Sequence, residues 1–143
     1  MFRVTRSYRF CCAHRLHSPA LSEAENCRIY GKCNNPYGHG HDYVLRVTAR
    51  GPANSSGQAV AIPLLDELVQ RQVLRELDHR NLNVDVDWFG AGVPTSENLA
   101  AAICRRLKQN WKTVFASDWP RLELICIEET PRNIFQVNAD EIE

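Results

Sequence analysis

Tyr30-Gly31-Lys32-Cys33-Asn34-Asn35-Pro36-Tyr37-Gly38-His39-Gly40-His41 sets one cysteine six residues ahead of two histidines that stand two apart. A loop rich in Gly, Asn and Pro gives way there to the alternating run Tyr43, Leu45, Val47. On a β-strand, residues i and i+2 point to the same face. His39 and His41 are therefore expected side by side, with Gly40 leaving the opposite face open. Two imidazoles so placed are two-thirds of a His₃ site, the kind that holds a catalytic zinc and keeps its fourth position free. A third ligand has to come from elsewhere in the sequence.

Towards the N-terminus, Phe2, Val4, Tyr8 and Phe10 alternate with Arg3, Thr5, Ser7 and Arg9, the period of a half-buried strand. Its continuation carries Cys12 and His14 on the face of Phe10, which makes His14 the third candidate ligand. His17 breaks that parity within Leu16-His17-Ser18-Pro19 and reads as an exposed or structural histidine. Residues 18 to 38 read as one long connection, a length that inside a compact domain usually serves function.

Beyond the second strand, Gly51-Pro52-Ala53-Asn54-Ser55-Ser56-Gly57 is a polar turn. Pro63 suits a first helical turn, and Leu65, Leu68, Val69, Val73 and Leu77 form one buried stripe. Asp78-His79 at its end would in isolation be a surface cap; beside a metal and a thiol it becomes a candidate acid/base pair, since histidine exchanges protons near neutral pH. Thr95 reads as an N-cap with Glu97 in the first turn of a helix carrying Leu99, Ile103, Leu107 and Trp111. Arg121 to Ile127 and Ile134 to Val137 read as two more strands. The order β-β-α-α-β-β predicts one α+β domain over residues 1–143: a four-stranded antiparallel sheet with both helices on one face. Four strands cannot close a barrel alone and leave edges uncovered, so oligomerisation is the expected remedy.

With 17 basic and 17 acidic residues the formal charge is zero, so no global field recruits nucleic acid or an anionic membrane. No apolar h-region opens the sequence and no apolar run is long enough to span a bilayer, so a cytoplasmic protein is expected. Six cysteines in that setting read as reduced thiols, and the lack of a C-x-x-C pair speaks against a Cys₄ zinc site. Cys104 and Cys126 fall in apolar patterns and read as core; Cys11, Cys12 and Cys27 receive no functional assignment.

The sequence resembles the 6-pyruvoyl tetrahydropterin synthase family over nearly its whole length. Phe10-x-x-x-His14-Arg15-Leu16, the Tyr30 to His41 block, Leu77-Asp78-His79-Arg80-Asn81-Leu82-Asn83, Pro94-Thr95-Ser96-Glu97-Asn98 and Glu129-Thr130 with Asn133 carry the match. The resemblance implies the tunnelling fold, in which trimers close a β-barrel and two trimers stack into a hexamer with sites between subunits. It implies a lyase that acts on a small molecule, converting 7,8-dihydroneopterin triphosphate with loss of triphosphate. By the same resemblance, His14, His39 and His41 bind Zn²⁺, Cys33 is the general base, and Asp78 with His79 forms a proton relay. Glu129 grips the amino-pyrimidine edge of the pterin, while Thr95, Ser96 and Glu97 line its pocket. Lys32 and Arg80 are candidates for the triphosphate on charge alone. Asp42 departs from the Asn that commonly follows the second histidine of the pair, Tyr37 fills a variable loop position, and Ile62-Pro63 replaces a polar residue often seen before the first helix.

Within that family the rival is 6-carboxytetrahydropterin synthase of the queuosine pathway, whose cysteine typically stands closer to the histidine pair. Here five residues separate Cys33 from His39, which favours the pyruvoyl product. A Glu in the cysteine region would mark folate-type relatives, and Cys33 argues against them. A non-catalytic pterin binder has no use for a base and a relay. A purely structural zinc requires Cys33 as a fourth ligand.

Overall fold

The computed structural model describes residues 1–143. Strand β1 (Phe2–His14) pairs antiparallel with β2 (His39–Gly51) over its full length, from Phe2 opposite Gly51 to His14 opposite His39. Directly opposed residues share a face. Tyr8, Phe10, Cys12 and His14 therefore line up with Leu45, Tyr43, His41 and His39 on the inner side of the sheet. Between the strands lie helix α1 (Glu23–Tyr30) and a 3₁₀ turn (Gly31–Asn34).

After β2 come α2 (Ile62–Val69), a π-helical turn (Gln70–Leu74) and α3 (Arg75–Leu77), then β3 (Arg80–Asn81), α4 (Ser96–Trp111), β4 (Arg121–Thr130), β5 (Asn133–Asn138) and a last 3₁₀ turn (Ala139–Glu141). Leu65, Leu68, Val69, Val73 and Leu77 are all fully buried. Each step of four residues overshoots an α-helical turn by about 40°. The wider π turn absorbs that drift, so Val73 and Leu77 stay in line with Val69. These residues pack with Leu99, Ile103 and Leu107 of α4 onto Leu45, Val47, Ile125 and Ile127 of the sheet, in one core cluster. The opposite face is polar: Arg3 holds Glu123 through two bonds of 2.6 and 2.9 Å, and Thr5 bonds Thr48 at 2.8 Å.

Two expectations need correction. The sheet has five strands, in the order β3-β1-β2-β4-β5, and β3 runs parallel to β1. A two-residue strand carries no alternation to read; the backbone builds it, with His79 N donating to Cys11 O (2.7 Å) and Leu82 N to Ala13 O (2.8 Å). Residues 18 to 38 are not a plain loop, because they contain α1 and the 3₁₀ turn. Ser22 caps α1, with Glu25 reaching back to the Ser22 amide in a reciprocal capping box.

Candidate active site

Three imidazoles meet where β1 ends and β2 begins. One ring nitrogen from each of His14, His39 and His41 lies within 4.8 Å of the others. Gly38 makes this approach possible: it has φ +74°, and a Cβ there would meet the His14 carbonyl oxygen at 3.1 Å. His14 is fully buried, and its Nδ1 stands 2.8 Å from Pro94 O. A carbonyl only accepts, so Nδ1 carries the proton and Nε2 presents its lone pair to the cluster. His14 Nε2 lies 3.0 Å from His39 Nε2, close to the ~3.3 Å between two ligands of a tetrahedral zinc.

The donor set fits a cation. His39 Nδ1 and His41 Nε2 are buried without a hydrogen-bond partner, which is costly unless something else engages these rings. Burial lowers the pKa of His14, against the opposing pull of the Pro94 carbonyl, and lowers that of His39 as well, with His41 adding to the effect. Both rings are thereby kept neutral, as metal ligands must be. Cys33 lies outside the converging trio, so the converging set is three imidazoles.

Glu129 on β4 is the carboxylate at this site. Its Oε1 stands 3.3 Å from His41 Nε2 without the alignment of a hydrogen bond, while its Oε2 accepts from the Ser96 hydroxyl. The 3₁₀ turn brings Cys33 to the same place, its carbonyl accepting from Leu16 N at 2.8 Å just past the end of β1. Burial pushes the Cys33 thiol up, and the nearby Glu129 charge adds to the rise. Three imidazoles, a carboxylate and a thiol thus share one end of the sheet.

Residues 3–140 match the family model described as 6-pyruvoyl tetrahydropterin synthase. This chain belongs to the 6-pyruvoyl tetrahydropterin synthase family. It is similar to a 6-pyruvoyl tetrahydrobiopterin synthase of Drosophila melanogaster, 41% identical over 133 residues that span 92% of this chain and 76% of the fly protein. The Homo sapiens protein of that name is 39% identical over 108 residues, 75% of this chain and 74% of its own. The solved structure of the Caenorhabditis elegans 6-pyruvoyl tetrahydropterin synthase superposes with a TM-score of 0.85 at 42% identity, covering 96% of this chain and 94% of that one.

Not every residue singled out by the family resemblance joins the cluster. Asp78 and His79 lie beyond the far edge of β1, with no hydrogen bond or ion pair to Cys33. Asp78 Oδ1 accepts from Cys11 N (2.9 Å), and Oδ2 stands 3.7 Å from His79 Nε2, too far for a hydrogen bond. His79 is the one non-glycine residue with positive φ, +60°, and its ring is 80% exposed. It opens onto a cavity of about 480 Å³ lined by Cys11, Asp42, Arg80 and Asp85. Ser96 reaches Glu129, but Thr95 is spent capping α4 through Asn98 N (3.1 Å), and Glu97 is exposed. Lys32 and Arg80 are exposed. His17 is structural, its Nδ1 taking a 3.0 Å bond from Asn34 Nδ2. No helix is long and apolar enough to cross a membrane.

Sequence reading alone missed two parts of the site. Pro94, whose carbonyl fixes the His14 tautomer, left no side-chain signal. Tyr43 reads as apolar core, yet its parity with His39 and His41 already aligned it with the site.

Proposed function

We propose that this protein is a zinc-dependent 6-pyruvoyl tetrahydropterin synthase that converts 7,8-dihydroneopterin triphosphate to 6-pyruvoyl tetrahydropterin and triphosphate. The observation that carries this is the converging His14-His39-His41 trio, with Cys33 brought to the same end of the sheet but outside the ligand set. In this reading His14, His39 and His41 would hold a Zn²⁺, which would supply Lewis-acid polarisation of the oxygens of the substrate's side chain and so make the neighbouring C–H bond more acidic. Cys33 takes the proton as the C–O bond to triphosphate breaks, and His79, with the Asp78 carboxylate next to it, returns a proton. The reaction is an elimination with internal redistribution of hydrogen, so no outside oxidant is needed. Glu129 accepts from the paired N–H groups of the pterin's amino-pyrimidine edge, a planar two-donor target suited to a carboxylate. Ser96 holds that carboxylate; Thr95 and Glu97 shape the pocket's rim.

Trimers that close the barrel, and a hexamer of two such trimers, complete the proposal. They would bring the exposed Asp78–His79 pair of one subunit to the Cys33 of another. Roughly 40% identity to relatives named for the pyruvoyl product favours that product. The test is to supply zinc-loaded protein with 7,8-dihydroneopterin triphosphate, follow triphosphate release, and identify the pterin by mass. A pyruvoyl product is expected, with Cys33→Ala slower by about 10²- to 10⁴-fold, the range for loss of a general base. Zinc and pterin binding without triphosphate release would reduce the protein to a binding module, and a carboxy product would move it to the queuosine branch.

A further inference from the structure

Cys33 sits in the 3₁₀ turn Gly31–Asn34, and the buried member of that turn is its neighbour Asn34, 7% exposed. A buried amide needs partners for its donors and its acceptor, and here each has one. Asn34 Nδ2 donates to Leu16 O at 2.8 Å and to His17 Nδ1 at 3.0 Å, while Oδ1 accepts from the Cys27 thiol at 3.6 Å. An amide nitrogen only donates, so His17 Nδ1 is the acceptor and its ring carries its proton on Nε2.

The main chain makes the same junction. Leu16 N donates to Cys33 O at 2.8 Å and Arg15 Nε to Asn34 O at 3.1 Å, so Leu16 gives its N–H to Cys33 and its carbonyl to Asn34. The receiving segment is itself fixed: Asn83 accepts from Arg15 N at 2.7 Å and donates to Arg15 O at 3.0 Å. His14, one of the three converging imidazoles, is the residue just before Arg15. An apolar side chain could bury the turn without fixing its orientation, since apolar burial is non-directional. Hydrogen bonds fix direction as well as distance.

We infer that Asn34 and its acceptor His17 are positioning residues that hold Cys33 at a set place relative to the histidine trio. A general base acts only within about 2.6–3.2 Å of the proton it takes, and a misplacement of about 1 Å can cost on the order of 10²-fold in rate. Tying the Cys33 turn to the residues that directly follow His14 keeps base and metal ligand in one rigid unit. This inference rests on the proposed pterin reaction and assigns it two residues that touch neither substrate nor metal.

The test compares zinc-loaded parent, Asn34→Ala, His17→Leu and His17→Asn with 7,8-dihydroneopterin triphosphate, reading kcat, KM and bound zinc separately. Asn34→Ala should lower kcat by about 10- to 100-fold, with bound zinc unchanged and KM within about twofold of the parent. His17→Leu removes the acceptor alone and should lower kcat about fivefold, the worth of one hydrogen bond. An asparagine side chain can offer its oxygen near the place of histidine Nδ1, so His17→Asn should recover at least about half of the parent kcat. An unchanged kcat, a fall in bound zinc together with kcat, a rise in KM alone, or a His17→Asn protein as slow as His17→Leu overturns the inference while the proposed reaction stands. A parent that releases no triphosphate takes both down together.

Discussion

Cys33 faces opposite demands: a base must shed its proton, yet burial and the Glu129 charge both favour the neutral thiol. In the metal-free protein its alkylation by iodoacetamide should therefore rise only at a pH above that of an ordinary thiol. Glu129→Gln removes a negative neighbour, so the thiol pKa falls, the thiolate fraction at pH 8 grows, and alkylation should speed up severalfold. Loading Zn²⁺ should also accelerate it, since a nearby dication stabilises thiolate. Protection of Cys33 by zinc would instead put its sulfur on the ion and revive the closed structural site. This part of the site was legible from residue types and parity: the alternation from Phe10 to His14 and the i, i+2 spacing of His39 and His41 suffice to bring three rings together. The tautomer of His14 was not legible, because its determinant is the backbone carbonyl of Pro94, 80 residues away.

Among the elements, the excursion between β1 and β2 shows where sequence patterning stops being informative. The helix α1 buries no apolar stripe; its buried residue is Asn26, and Ile29 is exposed. Period-based reading finds nothing there, although Ser22 and Glu25 spell a capping box. Asn26 holds the segment by polar bonds instead. Its Oδ1 accepts from Ser18 N at 2.7 Å, and its Nδ2 faces the carbonyls of Ser18, Leu21 and Ser22 at 2.9, 3.3 and 2.9 Å. Asn26→Ala removes four part-buried hydrogen bonds at once, each worth about 0.5–1.5 kcal/mol. Amide exchange across residues 18–34 should then accelerate by at least tenfold, with β2 amides keeping their protection. Since this segment presents Cys33, catalysis should fall while metal binding, which rests on β1 and β2, persists. Equal acceleration in β2 would mean that the excursion opens only with the whole fold.

At the scale of the whole molecule, four of the five strands and the helices that cover them were legible, because each carries a clean period of 2 or 3.6; β3 was not, since only backbone pairing defines it. The sheet ends at β3 on one side and β5 on the other, both with a free edge. Its outer face carries Arg3, Thr5, Arg46, Thr48 and Glu123 rather than an apolar layer, so a copy docking there would meet charges and hydroxyls while its edges gained strand partners. Within a single subunit, no bond joins Cys33 to the Asp78–His79 pair, and His79 is turned to solvent. If neighbouring copies pair edge to edge, one copy's His79 can serve another's Cys33. Cys33→Ala and His79→Ala proteins, each inactive alone, should then restore activity when unfolded together and refolded as a mixture. In a cyclic assembly with random mixing, about a quarter of the sites receive both intact residues, so recovery should approach about a quarter of the parent rate. Sites built within single subunits give no recovery at any mixing ratio. A mixture that stays inactive, while light scattering shows that it assembled like the parent, would therefore return the relay to its own subunit and require β3 to move towards Cys33 during turnover.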